Sequence, residues 1–257
     1  MKRALASVFG SVALLVAVST TARADAFLSL QNGATLLTCN NSTAAGVTAC
    51  QAAGFTTVLG GSGIGFAGAI GGYMVFDLAL TSNTPGNPLL AFATDTKTAV
   101  ANLSGGATPL IVSFAVNNFA LPAGSPLTLS AAQSATFLSS PAGNSQSFTG
   151  WGNVANTLAT ATGTAVATPN CVNPAASPPA NACSSAGVPV LFARAGNFAL
   201  NGVETINLSQ GGIANFQGGV VVTPPLEQLV PEPASFVLMA AGLLALVGGR
   251  RVLRRKA

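Results

Sequence analysis

Leu28-Ser29-Leu30-Gln31-Asn32-Gly33-Ala34-Thr35-Leu36-Leu37 is the stretch that decides how the chain is read. Two short apolar segments flank an Asn-Gly pair, and Asn-Gly suits the type I′ turn of a two-residue β-hairpin because both residues tolerate positive φ. A second such pair, Asn201-Gly202, separates Phe198-Ala199-Leu200 from Val203-Glu204-Thr205-Ile206 and predicts a second hairpin. Between them, short apolar runs bounded by Gly, Asn, Pro and Ser predict strands over 55–59, 73–80, 89–94, 110–116, 136–138, 190–193 and 220–222. No helix-length amphipathic pattern interrupts them, so the expected fold is all-β, a sandwich or jelly roll. The stretch 156–189, poor in large apolar residues, reads as a long surface loop of low order. No period of 20 to 50 residues points to a solenoid.

The two ends are excluded from that fold. Residues 1–24 start with Lys2 and Arg3, continue through an apolar run from Val8 to Val18 and finish in Ala22-Arg23-Ala24, the layout of a cleavable signal peptide. Export machinery of the Sec type and signal peptidase are the partners this segment expects. The ectodomain then runs over 25–229. Eight of the ten Lys and Arg residues lie in the two terminal segments, so the overall charge of +4 describes those segments and not the domain. The domain holds Lys97 and Arg194 against Asp25, Asp77, Asp95, Glu204 and Glu227; it is acidic, which argues against nucleic acid as a partner. Cys39, Cys50, Cys171 and Cys183 all fall in the exported part, where disulfides persist. Three pairings are open; Cys39 with Cys50 and Cys171 with Cys183 close the shortest loops and are preferred.

The last residues, 230–257, combine Pro231-Glu232-Pro233, an uncharged apolar stretch from Phe236 to Gly249, and a basic end containing Arg250, Arg251, Arg254 and Arg255. As a helix, the apolar stretch would span about 21 Å, short of the roughly 30 Å hydrocarbon core, with snorkelling arginines extending it as a single transmembrane helix. The arginines belong on the cytoplasmic side, which places the domain outside. Two prolines keep the preceding segment extended and accessible. This tripartite ending resembles the PEP-CTERM sorting signal. The resemblance implies recognition by exosortase, with Pro231, Glu232 and Pro233 as the recognised residues. It also implies transit through the inner membrane of a Gram-negative-type bacterium to the cell surface or beyond, and a link to exopolysaccharide and biofilm.

Candidates for chemistry are few. Histidine is absent, removing the usual general base and imidazole metal ligand. Lys97 could serve a Ser-Lys dyad, but a solvated lysine is the expectation. Asp77, Asp95, Glu204 and Glu227 could supply a glycosidase pair, but they are scattered and read as surface groups. Asp77 or Asp95 could contribute to a calcium site, without an EF-hand loop to support it. Gly63-Ile64-Gly65-Phe66-Ala67-Gly68 matches a dinucleotide fingerprint but lacks its βαβ frame and distal acid. No catalytic residue, metal or cofactor is therefore assigned. Trp151, between Gly150 and Gly152, is the candidate glycan platform, with Tyr73 as a second. The resulting expectation is a non-enzymatic surface or matrix protein, with a carbohydrate-binding or adhesive module as the alternative.

Overall fold

A computed structural model of the chain describes residues 24–106 and 108–224. Apart from Ala24, the signal segment lies outside those residues, as do Glu227, the sorting residues Pro231, Glu232 and Pro233, and the tail helix. Among the described residues, no helix is long and apolar enough to cross a membrane.

The domain is all-β, two antiparallel sheets packed face to face. The chain opens with the hairpin β1 (Ala26–Asn32) and β2 (Thr35–Asn40), then a short helix α1 (Ala44–Ala52). A meander follows: β3 (Phe55–Thr57), β4 (Ile64–Ile70), β5 (Tyr73–Ser82) and β6 (Ala91–Asn102). From there the chain alternates between sheets through β7 (Leu110–Phe119), β8 (Leu127–Ser139) and β9 (Ser145–Asn153). Next come β10 (Thr164–Ala167), β11 (Cys171–Val172), β12 (Asn181–Ala186) and β13 (Val190–Phe192), before the long β14 (Phe198–Asn207) and β15 (Ile213–Thr223). One sheet has the order β10-β9-β14-β7-β1-β2, with β11 also on β9. The other has the order β12-β8-β15-β6-β5-β4-β3, with β13 also on β8.

Burial alternates along the strands, as a sheet with one face inward requires. Leu28 and Leu30 of β1, Val112 and Phe114 of β7, Phe148 of β9 and Val220 and Val222 of β15 are all fully buried. Each such side chain is worth about 1.5–3 kcal/mol relative to exposure. Phe114 stacks on Phe148 with ring centres 6.2 Å apart.

The first hairpin forms, one residue later than expected. Asn32 pairs with Thr35, leaving Gly33 and Ala34 as the turn, with Gly33 at φ 57°. Asn32 stays in the strand because its side chain is committed: Oδ1 accepts from Gly72 N at 2.9 Å and Nδ2 donates to the Thr108 and Pro109 carbonyls. The second hairpin does not form. Asn201 and Gly202 sit in the middle of the unbroken strand β14, paired with β7 on one side and β9 on the other. A Cβ on Gly202 would come within 2.4 Å of the Phe114 ring and 2.8 Å of the Phe148 ring. The glycine makes room for an aromatic pair instead of turning the chain.

The loop expected over 156–189 is likewise corrected. It contains β10 and β11 on one sheet and β12 on the other, so it straps one side of the sandwich. Cys171 on β11 is bonded to Cys183 on β12, joining the sheets. Cys39 is bonded to Cys50, which lies on α1, a helix inside what reads in sequence as a loop. Its start is capped by Thr43, whose Oγ1 accepts from Gly46 N at 3.0 Å. The fingerprint-like glycines 63–68 run into β4, with no helix after them.

Candidate functional site

Asp95 and Lys97 stand two residues apart on β6, so both side chains leave the same face, the one that looks towards the opposite sheet. Glu204 meets them from β14 of that sheet. Lys97 Nζ donates to Asp95 Oδ2 at 2.5 Å and forms an ion pair with Glu204 Oε2. Gly218 N, on β15, donates to Asp95 Oδ1 at 3.0 Å. Gln146, on β9, donates from Nε2 to Glu204 Oε1 at 2.8 Å and to the Gln217 carbonyl at 2.9 Å. Since that carbonyl can only accept, it sets which way the Gln146 amide points. Exposure is 0% for Asp95, Glu204 and Gln146 and 1% for Lys97.

Three ionised groups would leave one uncompensated negative charge in a dry core, which is costly. Burial pushes the Glu204 carboxyl up to about 8; Lys97 opposes that rise, and Asp95 adds to it. For Lys97 burial favours the neutral amine, but Asp95 and Glu204 together outweigh it and hold the ammonium above its usual range. At neutral pH burial therefore favours the protonated form of Glu204 beside the Lys97 ammonium.

These positions differ from the sequence expectation, which put Lys97 and Glu204 in solvent. Strand parity carried the missing signal: Thr94, Thr96 and Thr98 take the outward positions, so Asp95 and Lys97 share the inward face with Ala91 and Ala93. Lys97 contacts carboxylates and not a serine. Asp77 is exposed and Asp95 buried, so the two carboxylates do not converge on a cation. Tyr73 is 2% exposed, with its hydroxyl against the backbone of Ile206 and Leu208, and is no platform.

Trp151 is half-buried on β9, on the outward face of the first sheet, beside Asn201. A surface depression lies on the outward face of the other sheet. It is a trough of about 510 Å³ lined by Thr94, Ser134, Ser184, Gln217, Gly219 and neighbours. Gly219 and Ala132 leave the space, and uncharged hydroxyl and amide groups stand within a mostly apolar lining. Trp151 and this trough are on opposite sides of the molecule.

Residues 229–255 match the family model for the PEP-CTERM protein-sorting motif. No curated protein matches the chain in sequence. Among solved structures, the chain is similar to one described as the structural basis for the promiscuous specificity of carbohydrate-binding modules from the beta-sandwich super family. That similarity is at 8% identity and a TM-score of 0.21, and it covers 66% of this chain and 55% of that chain.

Proposed function

We propose that this chain, which ends in a PEP-CTERM protein-sorting motif, is a non-enzymatic surface or matrix protein. Its β-sandwich is delivered outward by the Sec route and released or retained by exosortase. The observation that carries the reading is the matched tail, in which Pro231, Glu232 and Pro233 precede the apolar stretch and the arginines. The acidic charge of the domain fits a partner without anionic groups, and association with exopolysaccharide follows as part of the same proposal. A non-enzymatic role is supported by the burial of Asp95, Lys97 and Glu204, which no substrate reaches. Mass analysis of surface and released protein, with and without exosortase and beside Glu232→Ala, tests the sorting step. Loss of the tail only when enzyme and motif are both intact is expected; an unchanged tail in every case would make the chain a simple membrane-anchored ectodomain.

The trough favours a second reading, a glycan-binding module for neutral polysaccharide. Hydroxyl and amide groups over small residues suit sugar hydroxyls. Binding lost in Gln217→Ala but kept in Trp151→Ala would place the ligand in the trough; the reverse pattern would place it on the tryptophan face. No binding by either face on a glycan array leaves the matrix role.

A further inference from the structure

We infer that Lys97 and Glu204 condense to an amide that ties the two sheets together through the core, with Asp95 carrying the protons. The inference rests on the arrangement of the buried cluster and does not depend on the sorting tail. Three features of that arrangement point to reaction and not only to ion pairing.

First, the partners are held in place. Lys97 and Glu204 project from facing strands of opposite sheets and are in direct contact, so Nζ has only to pass from Oε2 to the adjoining Cδ. Groups fixed at such range react with effective molarities of about 10⁵–10⁸ M. Second, each atom of the Glu204 carboxyl has a distinct neighbour. Oε1 accepts from Gln146 Nε2, a donor placed to stabilise the oxygen that gains charge when Cδ is attacked. Oε2 faces the lysine and is the oxygen that leaves. Third, the site is dry. A Cβ on Gly218 would meet both the Phe148 ring, at 2.7 Å, and Asp95 Oδ1, at 2.9 Å, so the aromatic ring packs close beside the carboxylate and the cluster is shielded from bulk solvent. In water a carboxylic acid loses its proton and the carboxylate resists attack; burial favours the neutral, more electrophilic form of Glu204.

The steps balance. Asp95 takes one proton from the Lys97 ammonium, giving a free amine beside the neutral Glu204 carboxyl. The amine lone pair forms the Nζ–Cδ bond as the electrons of the C=O move to Oε1. Asp95 then passes its proton to Oε2 and takes the second nitrogen proton. The Cδ–Oε2 bond breaks, one water leaves, and Asp95 ends protonated in an uncharged site. Nothing is oxidised or reduced. The reaction occurs once per molecule, so the protein acts on itself and turns over no substrate.

Glu204 and not Asp95 is the electrophile because of what each carboxyl touches. Asp95 is pinned by the Gly218 amide and is the direct hydrogen-bond acceptor of the ammonium, the position of a base. A bond from Lys97 to Asp95 would also close only a small loop within β6, whereas a bond to Glu204 links β6 to β14.

The test is peptide mapping of the full exported chain as cells produce it. The protein is denatured, reduced, alkylated, digested at apolar residues and sequenced by tandem mass spectrometry. A branched fragment joining β6 to β14 is expected, with the mass of the two peptides less one water. In Asp95→Asn, checked for fold by its two intact disulfides and circular dichroism spectrum, the same two peptides should appear linear, with Lys97 and Glu204 unmodified. Linear peptides in the wild-type protein would overturn the proposal. So would a branch between Lys97 and Asp95.

Discussion

The dipeptide Asn-Gly occurs at 32–33 and at 201–202, and the two copies have opposite fates. At the first, the glycine turns a hairpin at the edge of a sheet, and a Cβ on it would find its nearest neighbour 3.7 Å away. At the second, the strand runs straight through a sheet centre and the glycine opens space for Phe114 and Phe148. Gly33 is used for its backbone freedom at φ 57°, Gly202 for its missing side chain. Local turn preference, worth about 1 kcal/mol, is overridden where two aromatic side chains must be buried, each worth more than that. The asparagines differ in parallel. Asn32 gathers the Gly72 amide and the Thr108 and Pro109 carbonyls at the rim. Asn201, fully buried, donates to the Ala159 and Thr162 carbonyls and holds down the loop that covers its part of β14.

The largest effect is expected from Lys97→Met on β6, which leaves Glu204 of β14 and Asp95 in the core without their cation. A loss of about 3–5 kcal/mol is expected at neutral pH, read as a lower urea midpoint with unchanged slope. The pH dependence has a definite sign. The folded-state Glu204 carboxyl lies near 8 against an ordinary 4.5, so the folded form binds more protons between those values. Its stabilising contribution is complete below pH 4.5 and lost as pH rises towards 8. In Lys97→Met the opposing influence of the ammonium is gone, so the variant should recover much of its stability in mild acid. In a chain whose Glu204 is a free carboxyl, a flat profile from pH 4.5 to 8 would show that Glu204 is not in the core; where Glu204 is joined to Lys97 as an amide it has no proton to lose, and a flat profile is expected.

Gly202→Ala should cost about 1–3 kcal/mol by overpacking against Phe114 and Phe148, and a smaller ring at one of those positions should restore part of it. If Gly202→Ala were silent, position 202 would behave as a turn and β14 would not be continuous. Asn201→Ala should cost about 1–3 kcal/mol, because the two hydrogen bonds from its buried amide to the Ala159 and Thr162 carbonyls are lost. Its signature is faster amide exchange confined to residues 154–163. The smallest change is expected at the hairpin: Gly33→Ala meets only an ordinary contact but an unfavourable φ, for about 1–2 kcal/mol. Gly33→Asn should recover most of that, because asparagine tolerates the left-handed region, whereas Gly202→Asn should be worse than Gly202→Ala.

Much of the fold was legible because it depended on local chemistry. Strand periodicity gave the all-β class, and loop length gave the two disulfide pairs later found between Cys39 and Cys50 and between Cys171 and Cys183. The strap at 156–189 was not legible, since β10, β11 and β12 are short and polar and owe their pairing to β9 and β8. The charged cluster was half legible. The Thr94, Thr96 and Thr98 alternation marks which way Asp95 and Lys97 point, but nothing near them announces that Glu204, on another sheet, completes the set.

By itself the sequence determined the class of the domain, its acidic charge and the PEP-CTERM motif that addresses it, and it favoured the disulfide pairing that the structure shows, because each is carried by residues close together in the chain. Only the tertiary structure decided that one Asn-Gly turns while the other runs straight. It alone decided that one lysine and two carboxylates share a dry site, because those outcomes depend on which strands face each other across the core.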